Sequence, residues 1–282
     1  MVIYLLSLSL LIILGIIIFS IKNLNAMKKK KIFLFVCFFV FFLLMGFRTE
    51  NVGTDTKLYC TIFNKYSKMS VSSIICSGDS SIIYALYNKI VSFFSISNYA
   101  IIVANSFIIC LLTVIFIKNN SKHVVLSSIY FCTFYHFFNA MNISRQYIAV
   151  MMVANSIIYL KNKNIVRYLV LNIVAVLIHN TAIISFIMVP WFFIEKNKKN
   201  MHIFLLCLFF SAFFFDKLLL LFTSTFTHYD LYFSNNLIND VGANKKIIIT
   251  IIYIFIAIII KFILEKIDDT TTNEYSELYL YY

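Results

Sequence analysis

Charged side chains are scarce in this sequence. They make up 13% of its 282 residues, against 61% hydrophobic, where a soluble globular chain carries about 25%. Too little polar material is left to cover a water-facing surface, which excludes an ordinary soluble domain. The length instead suits about eight helices of roughly 20 residues each, plus loops. The fold class expected is therefore all-α, a polytopic integral membrane protein with about eight spans (roughly seven to ten). Acids are scarcer still, 12 against 24 bases, for a net charge of +12. No basic face interleaves with stacking aromatics, so nucleic acid is not the partner. No CxxC or His/Cys cluster has metal-ligand spacing. No glycine-rich phosphate loop and no internal repeat is present. Neither a metal nor any other cofactor is expected.

What charge there is falls between apolar runs: Lys22 with Lys28–Lys31, Lys118 with Lys122, Lys161 with Lys163 and Arg167, and Lys196 with Lys198 and Lys199. Clusters of this kind orient membrane spans and attract anionic headgroups. Residues 1–264 then form one transmembrane domain. Residues 2–21 are span one, retained with its N-terminus outside because the lysines follow the apolar run. The cluster 22–31 holds the next loop inside, and 32–47 is span two. A long outer segment, 48–97, carries the turn-forming SGDSS (77–81) and a helical period from Ile82 to Phe94. This reads as a helix lying in the interface, with Asn88 and Lys89 on its polar face. Residues 98–117 cross inward, 124–139 go out, NAMN (139–142) turns, and 143–160 return. Residues 168–194 are either one tilted span or two short helices meeting at His179-Asn180-Thr181, and two helices agree better with the positive-inside rule. Spans at 202–222 and 247–264 follow, then an acidic tail, 265–282. Of the six cysteines, Cys37, Cys110, Cys132 and Cys207 read as small core residues. Cys60 and Cys76 share the outer loop, where they either pair or, more simply, stay free.

Ionisable residues at membrane depth are costly, so each is a functional candidate. Four stand out: Arg48 at the end of span two, Asp55 in the outer turn, Arg145 just after NAMN, and His179 within AVLIHNTAI. With this topology the first three face outward, and all four can line one cavity open to the outside. Each also has a plainer role. The arginines can snorkel to headgroups, Asp55 can cap a turn, Tyr59 can sit in the interfacial aromatic belt, and His179, like His136 and His202, can be structural. Two outward arginines beside Gln146 nevertheless suit an anionic ligand held bidentately, as a diphosphate is.

Three blocks then resemble a known family. FRTENVGTDTKLYCTIF (47–63) matches Phe-Arg-x(4)-Gly-x-Asp-x(3)-Tyr-x(3)-Phe through Phe47, Arg48, Gly53, Asp55, Tyr59 and Phe63. Arg145, Gln146 and Ala149, with Tyr159, Leu160 and Lys163, match a second block. Ala175, His179, Thr181 and Ala182 match a third. The pattern, in order over residues 30–195, resembles the EpsG-type group of Wzy-like bacterial polysaccharide polymerases. An acid usual in that group before the helix at 82–94 has only Asp79 to supply it here. The resemblance implies a multi-pass protein of the bacterial cytoplasmic membrane. It implies a glycosyltransferase that moves a growing glycan from one undecaprenyl diphosphate carrier onto the sugar of another, for capsule, exopolysaccharide or O-antigen. Implied partners are the undecaprenyl-diphosphate-linked oligosaccharide, the bilayer, and the export and chain-length proteins of polysaccharide assembly. On that reading Arg48, Arg145 and Gln146 bind diphosphate, Tyr59 and Gly53 bind substrate, and Asp55 or His179 removes the acceptor proton. Two rival classes are a flippase for the same lipid-linked sugar, which more often shows paired repeats, and a membrane acyltransferase using His179.

Overall fold

The computed structural model describes residues 2–78 and 81–193, and every regular element among them is helical. The expected spans at 202–222 and 247–264, the acidic tail, Cys207, His202 and Asp79 lie outside the described residues. Helix α1 (Val2–Ser20) runs through a short turn into α2 (Ala26–Gly46). Asn25 caps α2, its side chain accepting a bond from the Lys28 amide at 2.8 Å. Lys28–Lys31 therefore ride on the first turns of α2, not in the preceding loop as expected. Cations at a helix N-terminus oppose its dipole; Lys29 instead donates from Nζ to Phe19 O at 2.8 Å, at the end of α1, and such a cluster also suits anionic headgroups. Further along, Phe35, Phe39 and Leu43 are all exposed at four-residue spacing. Val166, Val170 and Ile173 make a similar stripe on α10 (Ile165–Ile178). Large apolar stripes like these suit a lipid surround.

The segment after α2 holds three helices: α3 (Thr56–Lys68), α4 (Val71–Cys76) and α5 (Ile82–Phe94). α3 buries Tyr59, Cys60, Phe63 and Tyr66, a spacing of three and four that sets one face inward. α5 buries Tyr84, Ala85, Asn88 and Val91 and exposes Ile90, Phe93 and Phe94. Asn88 is thus not on a solvated face but fully buried, donating to the Tyr84 carbonyl at 2.6 Å. A side-chain amide that donates one turn back can enter the interior even with its oxygen unpaired among the described residues, which period alone does not reveal. Cys60 and Cys76 are both free thiols, one buried and the other exposed.

α6 (Asn98–Asn120) is the one described helix long and apolar enough by itself to cross a bilayer. Its 23 residues reach about 34 Å, against a hydrocarbon core of about 30 Å. α7 (Val124–Thr133) and α8 (His136–Asn142) meet this test only together, bent by 55°. The break is at Tyr135, in the left-handed region at φ 66°. NAMN, expected as the turn, is instead helical, and the chain passes into α9 (Ser144–Lys161) at Ile143. Packing outweighs the turn preference of asparagine here. Phe137, Ala140 and Met141 are buried, and Phe137 lies 5.7 Å from Phe41 of α2, ring to ring. α10 ends at Ile178, His179 is extended, and a 3-10 helix (Asn180–Ile187) leads into α11 (Met188–Phe193).

The lysine clusters make sidedness testable. Labelling of single cysteines with an impermeant reagent is expected to spare 22–31, 118–123 and 161–167 and to modify 50–80 from outside. Protection of 50–80 would put Arg48, Asp55 and Tyr59 on the inner side and overturn an outward-facing site.

Candidate anion site around Arg145

The turn between α2 and α3 is held by main-chain carbonyls. Arg48, only 7% exposed, donates from Nη1 to Met45 O at 2.8 Å, from Nη2 to Met141 O at 2.9 Å and from Nε to Val52 O at 3.2 Å. One guanidinium therefore ties the end of α2, the turn, and the end of α8. Gly53 closes the same junction. Its φ of +101° lies where other residues rarely go, and an added Cβ would stand 2.6 Å from Thr56 Oγ1 and 2.8 Å from Met141 O. Thr56 Oγ1 in turn donates to Val52 O at 2.8 Å. Arg48 and Gly53, read from sequence as ligand and substrate contacts, here clamp the turn to α8.

Arg145 is placed differently. It is the second residue of α9, half-buried, and reaches across to two other helices. Its Nε donates to Ile178 O at 2.9 Å, at the end of α10 and next to His179, while Nη2 donates to the Ser81 hydroxyl that begins α5. The guanidinium carbon stands 4.9 Å from the centre of the Tyr84 ring, within cation–π range. An arginine presents a five-donor fork. Both hydrogens of Nη1 and one of Nη2 remain without a partner, and no carboxylate pairs with this cation among the described residues.

The surrounding contacts set this geometry. The Asn105 amide of α6 donates both to Tyr84 Oη at 3.2 Å and to the Ser144 hydroxyl at 3.2 Å, so α5 and the start of α9 hang on one buried side chain. Tyr59 packs edge-on against Tyr84, with centroids 6.3 Å apart at 69°. Its hydroxyl lies 3.5 Å from Asp55 Oδ2, one helical turn earlier. Burial raises the Tyr59 phenol well above its ordinary range, helped by the neighbouring Tyr84 and Asp55 and opposed by the Arg145 charge. It thus stays a proton donor at working pH. Asp55 occupies the N-cap position of α3 but makes no side-chain cap bond. Gln146 follows Arg145 on α9, half-buried, its amide without a partner among the described residues. Arg145 is thereby joined to Tyr59, to Asp55 through Tyr59, and to the chain at His179, whereas Arg48 is bound to the turn.

A cavity of about 180 Å³ opens beside Arg145, lined also by Lys65, Tyr66, Ser81 and Tyr84. These four were not singled out from sequence. The polar stripe Ser81, Tyr84, Asn88 on α5, at spacings of three and four, is the signal that would have found two of them. Lys65 carried none, being one of two lysines in the last turn of α3.

Helices with exposed apolar stripes around a half-buried arginine, whose fork keeps spare donors among the described residues, suit an α-helical membrane protein. The chain belongs to the EpsG family, whose sequence profile matches residues 31–282. That family is associated with polysaccharide polymerisation. No curated protein and no solved structure was found to match the chain.

Proposed function

We propose that this protein is a bacterial polysaccharide polymerase of about eight spans. It joins undecaprenyl-diphosphate-linked oligosaccharide repeat units on the outer side of the cytoplasmic membrane. The observation that carries the reading is Arg145: a half-buried guanidinium with spare donors and no acid partner among the described residues, and a cavity beside it. In the reaction a hydroxyl oxygen of the acceptor sugar forms a bond to the anomeric carbon of the donor glycan. The bond from that carbon to the carrier's diphosphate breaks, and its electron pair stays on the diphosphate oxygen. Diphosphate is a good leaving group that needs charge neutralisation more than a proton. Arg145 supplies this neutralisation, strengthened at a water-poor membrane edge, with the Gln146 amide as a second donor. The acceptor hydroxyl gives up its proton to Asp55 or His179, the candidate bases of the site. Tyr59, protonated and bonded to Asp55, holds that carboxylate toward the site. The bond energy is already stored in the glycosyl diphosphate, so no nucleotide is needed.

Deletion of the gene is expected to leave single repeat units on the carrier, facing outward, with no polymer. Accumulation of inward-facing carrier would instead identify a flippase, and normal polymer would end the proposal.

A further inference from the structure

The cavity beside Arg145 holds a second cation that no motif marked. Of the described residues lining it, Lys65 and Arg145 are basic and none is acidic. Lys65 comes from α3 and Arg145 from α9, so the two charges reach one cavity from different helices, and Ser81 and Tyr84 share its lining. The Lys65 ammonium stands 5.1 Å from the centre of the Tyr66 ring and makes no hydrogen bond or ion pair among the described residues. A cation–π contact holds the charge at the cavity without neutralising it. The volume of about 180 Å³ is roughly six times the 30 Å³ share of one water, room for a pair of phosphoryl groups.

We infer that Lys65 is the second cation of this site, and that Lys65 and Arg145 together take a diphosphate in preference to a single phosphate. The inference rests on the anion-site reading of Arg145. The planar fork of Arg145 grips two oxygens of one phosphoryl group, and the compact ammonium of Lys65 neutralises the other. A single phosphate offers one phosphoryl group to the two cations, so it engages them less fully than a diphosphate does. Arg48, bound to three carbonyls on a different junction, is not required for the pair.

The test is calorimetric binding of inorganic diphosphate and of inorganic phosphate to the purified full chain in detergent at low ionic strength. Wild type is expected to prefer diphosphate by at least about tenfold, the worth of one charge-assisted contact. Lys65→Met should weaken diphosphate about tenfold and leave phosphate nearly unchanged, while Lys65→Arg should stay close to wild type. Lys65 is exposed, so the variant should fold, which an unchanged melting temperature would verify. Arg145→Met should lose both anions. If Lys65→Met binds diphosphate as wild type does while Arg145→Met does not, the second-cation inference fails and the anion site stands. If wild type binds neither anion, both fall. If the two cations behave as expected but Arg145→Met cells still make normal polymer, the diphosphate pair stands and the polymerase reading is lost.

Discussion

An Arg145→Lys variant is expected to insert at wild-type abundance and to polymerise at least about tenfold more slowly. Its ammonium can replace only one of the present bonds, to Ile178 O or to Ser81, and keeps the positive charge that a headgroup anchor needs. What it loses is the fork, with its three further donor hydrogens left for a ligand. Losing one charge-assisted hydrogen bond costs on the order of 1.5 to 3 kcal/mol, and about 1.4 kcal/mol is tenfold in rate. Because charge grows on the departing diphosphate, the loss should fall on kcat more than on KM. Turnover of purified lipid-linked repeat unit in detergent, at matched protein level, measures it. Full activity would return Arg145 to the role of a snorkelling anchor.

Variants of the turn clamp should fail in the opposite way, in the amount of folded protein and not in turnover per molecule. Gly53→Ala forces a Cβ to within 2.8 Å of the Met141 carbonyl, at a φ of +101°. Strained backbone of this sort costs about 1–3 kcal/mol before the clash is counted. Against a typical total stability of about 5–15 kcal/mol, abundance should fall several-fold. Arg48→Lys should behave similarly, since one ammonium cannot serve carbonyls of Met45, Val52 and Met141 together. A buried carbonyl left unpaired costs about 1–3 kcal/mol. Melting temperature in detergent and membrane abundance are the measurements. An Arg48→Lys protein that melts like wild type yet turns over tenfold more slowly would make Arg48 a diphosphate ligand after all.

These two arginines show where sequence stops being informative. Both are single cations in apolar surroundings, both belong to family blocks, and nothing local tells them apart. The carbonyl that receives Arg48 Nη2 belongs to Met141, 93 positions away, and the one that receives Arg145 Nε belongs to Ile178. Whether a guanidinium is satisfied or available depends on which distant carbonyls packing delivers to it. Lys65 is the converse case: an unremarkable last-turn lysine until Arg145, 80 positions on, arrives across a cavity. Asn88 and NAMN depart from what their polarity suggests for a related reason. Their polarity argued for surface and turn, while an i−4 bond and a buried Phe137 held them inside helices.

The helical class, the apolar surround, the placement of basic clusters and the candidacy of Arg145 were all determined by the amino-acid sequence itself. They follow from composition and from the order of charges along the chain, which the solvent reads directly. The different partners of Arg48 and Arg145, the bonds of Asn105 to α5 and α9, and the meeting of Lys65 and Arg145 at one cavity were decided only in the tertiary structure. Each depends on hydrogen-bond partners and charges that are remote in the chain, and only the packing of α3, α5, α6, α8 and α9 brings them within reach.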